Sequence, residues 1–191
     1  MRVVAGQAKG MRLKAPRGDA MRPTSDMVRE AIFDILGPLP EGARVLDLFA
    51  GTGALAIEAL SRGAAHATLI ERSARYVRTI RDNLAHTRLA EQAVLIPGDV
   101  YPEVRKLEAA GEEFDLVLAD PPYTGHGRER GGRPPAEKAL QLLGETAILS
   151  KNGVVVIEHA SATALPTEVG GLARTTAKKY GSTSISIYRR R

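Results

Sequence analysis

Residues 44–53 read Arg-Val-Leu-Asp-Leu-Phe-Ala-Gly-Thr-Gly, and their order decides the architecture. The run from Arg44 to Phe49 has the largely apolar profile of a strand covered on both faces, with one carboxylate, Asp47, set inside it. Gly51 and Gly53 then let the backbone turn sharply and approach a ligand closely. A helix over roughly 53–62 follows and stops at Gly63.

The alternation repeats outward. Strands are predicted at 67–71, 93–96, 114–119 and 154–157. The helix after the second strand carries Val77, Ile80 and Leu84 on one face, and another runs from about 135 to about 149, behind a Gly/Arg/Pro-rich loop over 124–135. Unbroken apolar strands separated by helices indicate a parallel sheet covered on both faces. The ending differs: segments 172–179 and 182–188 meet at Tyr180-Gly181 with no room for a helix, so the last strand must run antiparallel. Upstream, residues 1–24 read as a short basic hairpin or arm. Val3-Val4 and Met11-Arg12-Leu13 flank its turn, and Pro16 and Pro23 break regular structure. A helix from about Ser25, capped by Thr24, Ser25 or Asp26, carries Val28, Ala31, Ile32 and Ile35 and ends at Gly37-Pro38. The expected organisation is an arm, 1–24, and one globular α/β unit, 25–191.

The 191 residues are 43% hydrophobic and 26% charged, the balance of an ordinary globular domain. No apolar run reaches the roughly 20 residues that cross a bilayer, and the first residues lack a signal-peptide core, so the cytoplasm is the expected compartment. The absence of cysteine excludes disulfides, thiolate metal sites and cysteine nucleophiles. His66, His86, His126 and His159 have no metal-like spacing, and no metal is expected. Net charge is +5, and residues 1–24 hold six basic side chains against Asp19 alone, whereas the remaining residues balance. Lys178, Lys179 and Arg189–Arg191 form a second basic cluster.

Asp47, Phe49, Ala50, Gly51, Thr52 and Gly53 sit where the first strand becomes a helix, and the carboxyl edge of an open α/β sheet is where cofactors bind. Glu71, twenty positions beyond Gly51, can accept hydrogen bonds from both ribose hydroxyls of a nucleoside. Gly51-Thr-Gly53-Ala-Leu-Ala56 also satisfies the dinucleotide fingerprint with alanine in its third position. Two carboxylates favour S-adenosylmethionine over NAD. Asp47 can hold a methionine ammonium, directly or through water, and would face a pyrophosphate badly. Asp99, in Pro97-Gly98-Asp99-Val100, can accept from an adenine amino group. Each taken singly also reads as a cap or turn carboxylate; at successive strand ends they favour the methyl donor. Arg72 and Val100, their neighbours, belong to the same expected pocket. With the terminal hairpin, the expected fold is an α/β, Rossmann-like class I S-adenosylmethionine-dependent methyltransferase. It has a mostly parallel seven-stranded sheet.

Asp120-Pro121-Pro122-Tyr123 follows the 114–119 strand at the same edge. The lone pair of an exocyclic base amine is delocalised into the ring, so that nitrogen is a poor nucleophile. An acceptor pair on its N–H groups, the Asp120 carboxylate and the Pro121 carbonyl, favours a pyramidal nitrogen with its lone pair free to attack. The prolines stiffen the turn, and Tyr123 offers a face on which an extruded base can stack.

Across nearly its whole length the chain resembles the RsmD-type methyltransferases of small-subunit ribosomal RNA. The resemblance is carried by Arg2-Val-Val-Ala-Gly6 with Lys9-Gly10, Arg22-Pro-Thr-Ser-Asp26-Met-Val-Arg-Glu30, Leu46-Asp-Leu-Phe-Ala-Gly-Thr-Gly-Ala-Leu55, Glu58-Ala-Leu-Ser-Arg-Gly63, Asp120-Pro-Pro-Tyr123 and Glu158-His159. The Asp-Pro-Pro-Tyr motif alone is shared with adenine-N6 enzymes, whereas the Arg-Pro-Thr segment before a helix is more particular to this family. The resemblance implies methylation of the guanine-966 type, on N2, in 16S rRNA. The implied partner is the folded RNA of the 30S subunit or an assembly intermediate. It also implies that Asp120 to Tyr123 form the target-base site, that Asp47 to Gly53, Glu71 and Asp99 hold the cofactor, and that Arg22 to Asp26 line the mouth, with Thr24 near the methionine end.

Arg2, Lys9, Arg12, Lys14 and Arg22 of the arm, with Arg128 and Arg130 of the loop, are expected to meet RNA phosphates. A solvated tail and a solvated loop are the alternatives. Adenine N6 is the second reading of the chemistry; a dinucleotide-dependent oxidoreductase and a non-catalytic RNA-binding module are the other classes. Nothing in the sequence demands more than a monomer.

Overall fold

The apolar run at 44–48 forms β1 (Arg44–Leu48) of a computed structural model that describes residues 1–16, 26–122 and 132–191. Around it lie α1 (Asp26–Leu36), α2 (Ala54–Ser61), β2 (His66–Glu71), α3 (Ala74–Thr87), β3 (Ala93–Pro97), α4 (Val100–Ala109) and β4 (Phe114–Ala119). The chain continues through α5 (Pro135–Glu145), β5 (Leu149–Ala160), β6 (Glu168–Val169), β7 (Leu172–Tyr180) and β8 (Thr183–Arg190). One sheet holds every strand in the order β3-β2-β1-β4-β5-β8-β7-β6. β1 to β5 run parallel, and β8 returns antiparallel between β5 and β7. The seven expected strands are all present, and the two-residue β6 adds an eighth at the edge beside β7.

Alternate strand residues feed two cores. Val45, Leu69, Leu116 and Val156 face α1, α2, α3 and the arm. Leu46, Ile70, Val117 and Val155 face α4 and α5. Sequence periodicity did not disclose α4, because only Val100 and Val104 of its ten residues are buried. α5 ends at Glu145 rather than near 149, and Leu149 already belongs to β5, paired with Phe114.

α2 is buried on every side, which is unusual for a helix containing a glutamate. Glu58 is the reason the arm is where it is. Its carboxylate accepts the Val4 N–H at 2.8 Å and the Ala5 N–H at 2.9 Å, and takes Arg29 Nε at 3.4 Å and Arg62 Nε at 2.8 Å. Arg29, fully buried in α1, also donates to the Arg2 carbonyl and to Asp26. Ser61 accepts the Ala8 N–H, and a Cβ on Gly6 would sit 1.7 Å from the Ser61 carbonyl oxygen. Val3, Ala8 and Leu13 complete the attachment by burial in the first core. Residues 1–16 are therefore a packed layer with hairpin-like bonds, including the Arg2–Arg12 bridge.

Removing one partner of a buried ion pair leaves the other charge without compensation. Glu58→Ala should lower unfolding free energy by about 3–5 kcal/mol in a urea titration and deprotect the Val4 and Ala5 amides to hydrogen exchange. Unchanged protection of those amides would show that the arm is held by its apolar contacts alone.

Candidate functional site

Parallel register aligns the strand ends. Leu48 pairs with Ile70 and with Ala119, Ile70 with Ile96, and Ala119 with Ile157. Everything that follows those residues therefore emerges along one edge: the 49–53 loop, Glu71-Arg72, Gly98-Asp99 and Asp120-Pro121. Asp120 directly follows the strand partner of Leu48, so its backbone lies about one strand spacing, ~5 Å, from the start of the glycine loop.

The loop is tightly specified. Phe49 adopts φ 62°, a left-handed conformation that a bulky residue holds only when its surroundings impose it. Gly53 has φ 78°, and a Cβ there would press on Leu69 and Ile80 at 3.3–3.4 Å. Glu71, buried, ties the loop down: one carboxylate oxygen accepts the Gly51 N–H at 2.8 Å and the other the Ser73 N–H at 2.8 Å. Ala50 N–H bonds the Ile70 carbonyl at 3.0 Å, and Thr52 is buried with its hydroxyl 3.8 Å from the Met1 sulfur.

Asp47 is almost completely buried. Its Oδ2 accepts the Ala56 N–H in the first turn of α2 at 3.0 Å, while Oδ1 has no hydrogen-bond partner among the described residues. Burial pushes its carboxyl up to about 7, opposed by the Ala56 N–H and reinforced by the Glu71 charge. Asp99 is exposed and caps α4, accepting the Tyr101 N–H at 3.0 Å; Val100 behind it is buried and Arg72 is exposed. Asp120 is half-buried, Pro121 buried and Pro122 exposed. Pro121 and Pro122 share a small pocket with Pro134, Pro135 and His159. His159 is buried with Nε2 3.0 Å from Ser186 Oγ, and burial lowers its basicity. Tyr123, Thr24, Arg22, Arg128 and Arg130 lie outside the described residues. Arg2, Lys9, Arg12 and Lys14 are exposed, and Lys14 pairs with Asp82 at 3.2 Å.

One residue missed by sequence reading stands out. Asn83, fully buried on α3, donates from Nδ2 to the Thr52 carbonyl at 2.9 Å and to the Lys14 carbonyl at 3.1 Å, and its Oδ1 accepts the Lys14 N–H at 2.8 Å. It joins the arm to the glycine loop. An asparagine in phase with Val77, Ile80 and Leu84 was the available signal. Among the described residues no group of three or more His, Asp or Glu could hold a metal, and no helix is long and apolar enough to cross a membrane.

The parallel sheet with its antiparallel end, and a glycine loop and an Asp-Pro-Pro turn at one edge, define a Rossmann-like methyltransferase fold. A solved structure described as "Putative methyltransferase yhhF from Escherichia coli" superposes with TM-score 0.80 at 32% identity, covering 100% of this chain and 97% of the other. The chain belongs to the RsmD family, whose model, described as Conserved hypothetical protein 95, matches residues 1–189. It is 38% identical over 194 residues, all of both chains, to the Bacillus subtilis protein named "Putative rRNA methyltransferase YlbH". It is 33% identical over 190 residues to "Ribosomal RNA small subunit methyltransferase D" of Escherichia coli K12, covering 100% of this chain and 90% of the relative.

The raised Asp47 carboxyl has a consequence for stability. The folded chain keeps a proton there up to about pH 7, whereas the unfolded chain releases it near 3.8. The contribution of Asp47 to stability is thus fullest below about 4 and is lost as pH rises through about 7. In the ligand-free protein, Asp47→Asn should remove this decline, so that Tm falls less between roughly pH 5 and pH 8 than in the unaltered chain. Equal declines in both proteins would place the titrating group elsewhere.

Proposed function

We propose that this protein transfers a methyl group from S-adenosylmethionine to the exocyclic N2 of a guanine in 16S ribosomal RNA, of the guanine-966 type. Methylation of ribosomal RNA is the broad reading; the N2 position and the folded or assembled 30S substrate are the finer one. The observation that carries the proposal is the emergence of Asp120-Pro121-Pro122 from β4 directly beside the glycine loop after β1.

The pocket residues fit the cofactor. Asp47 Oδ1, a buried acceptor without a partner among the described residues, suits the methionine ammonium. Glu71 keeps lone pairs for ribose hydroxyls beyond the two backbone N–H groups it accepts, and Asp99 lies at the next strand end for the adenine side. S-adenosylmethionine supplies an already activated methyl, so neither a metal nor a covalent nucleophile is required. The chain's own work is positioning and electrostatics. Asp120 and the Pro121 carbonyl accept the two N–H groups of the amine and hold its lone pair out of the ring. Asp120 is also placed to take up the proton that the nitrogen sheds as the new C–N bond forms. For Tyr123, Thr24 and Arg22, which lie outside the described residues, the family resemblance suggests base stacking by the tyrosine and a place at the mouth for the other two. The anchored arm presents Arg2, Lys9, Arg12 and Lys14 to phosphates, and the sequence suggests Arg128 and Arg130 as further contacts.

Two measurements test this. Incubated with labelled donor and undermethylated 30S particles, the protein should place label in N2-methylguanosine; label on adenine or only on protein would overturn the assignment. Asp120→Ala should retain S-adenosylhomocysteine and RNA binding and lose methylation by on the order of a hundredfold or more. A variant of unchanged rate would remove Asp120 from the chemistry.

A further inference from the structure

Outside the arm, acidic and basic residues balance in number, but the helices do not share that balance. α1 has one arginine against Asp26, Glu30 and Asp34. α4 has Arg105 and Lys106 against Glu103 and Glu108, and both cations are paired: Arg105 with Glu108 at 3.3 Å and Glu145 at 3.0 Å, Lys106 with Glu103 at 2.7 Å. α3 is different. It carries Arg75, Arg78 and Arg81 against Asp82 alone, is flanked by Arg72 and Arg88, and its one acid is already paired with Lys14 of the arm. Arg78, Arg81 and Arg88 are exposed, and no carboxylate pairs with them among the described residues. Holding that many uncompensated guanidinium groups on one helix costs self-repulsion, which a polyanion would relieve.

Placement gives the stripe direction. α3 begins just after Glu71, at the edge where the glycine loop and Asp120 emerge, and its 14 residues run away from that edge for about 21 Å. The arm lies against the same helix, through Lys14 on Asp82 and Asn83. A surface hollow of about 480 Å³, lined by Gln7, Met11, His86, Thr87 and Arg88, lies between the arm and the far end of α3. Arm cations and α3 cations thus occupy one face and lead from the site outward.

We infer that Arg78 and Arg81 on the exposed face of α3, with Arg88 at its C-terminal cap, form a phosphate-binding track for the RNA that flanks the target base. The inference rests on the RNA-methylation reading above. Guanidinium groups spaced along about 15 Å suit successive phosphates of one strand, and such contacts fix the register of an RNA without reading its bases. That register would bring one guanine to Asp120.

The test compares the unaltered protein with Arg78→Gln/Arg81→Gln/Arg88→Gln, and with Arg105→Gln/Lys106→Gln as a matched control on the paired α4 face. RNA binding to an undermethylated 16S fragment is measured across salt concentrations, S-adenosylhomocysteine binding by calorimetry, and methylation at varied RNA. The α3 variant should lose roughly 2–3 from the slope of log K against log salt. Its KM for RNA should rise roughly tenfold or more, with kcat at saturating RNA and S-adenosylhomocysteine affinity retained. The α4 control should leave the slope unchanged. An unaltered slope and KM in the α3 variant, while the native protein methylates normally, would overturn the track and leave the enzyme assignment standing. So would an equal loss in the α4 control, which would mean that overall charge alone matters. A native protein that neither binds nor methylates the RNA would sink both readings.

Discussion

Four parallel strands, β1 to β4, end at one level and leave a row of backbone groups without sheet partners, and the rest of this molecule is organised around that row. Three acids hold the segments that leave it. Glu71 takes the Gly51 and Ser73 N–H groups, Asp47 takes Ala56, and Asp99 takes Tyr101. Burial drives the Asp47 carboxyl up to about 7, reinforced by the neighbouring Glu71 charge. The side chains that close the strand ends are thus the same ones proposed to hold the cofactor. Capping does not preclude that proposed role, because a carboxylate oxygen has more than one lone pair.

Polar groups do comparable work on the helical side. Glu58 collects two backbone N–H groups and two guanidinium groups in the middle of an otherwise apolar helix, and Asn83 satisfies the arm and the glycine loop together. Apolar contacts would let the arm slide; directional bonds at these two buried points set its register. The basic arm is consequently a rigid neighbour of the cofactor loop, with Met1 in contact with Thr52. Charge follows the same division of faces. Cations on α4 are matched by nearby carboxylates, whereas among the described residues no carboxylate pairs with Arg78, Arg81 or Arg88 beside the arm.

Much of this was legible in the residues themselves. Strand positions, the glycine turn, the antiparallel ending and the residues expected at the crevice follow from local periodicity, from backbone freedom at glycine and from the rule that open α/β sheets bind at their carboxyl edge. All of these act over a few neighbouring residues, so a linear reading captures them. α4 escaped because a helix burying only two residues leaves little periodic trace.

The register that brings Asp120 beside Phe49, the attachment of the arm through Glu58 and Asn83, and the joining of arm and α3 into one basic face were decided only in three dimensions. Each couples groups between 24 and 71 positions apart in the chain, such as Arg2 with Asp26, Lys14 with Asn83 and Leu48 with Ala119. A buried glutamate or asparagine announces in sequence that a partner must exist, because an unsatisfied polar group is costly in a core. Which partner it finds is set by packing, and packing is a property of the assembled layers, not of any one of them.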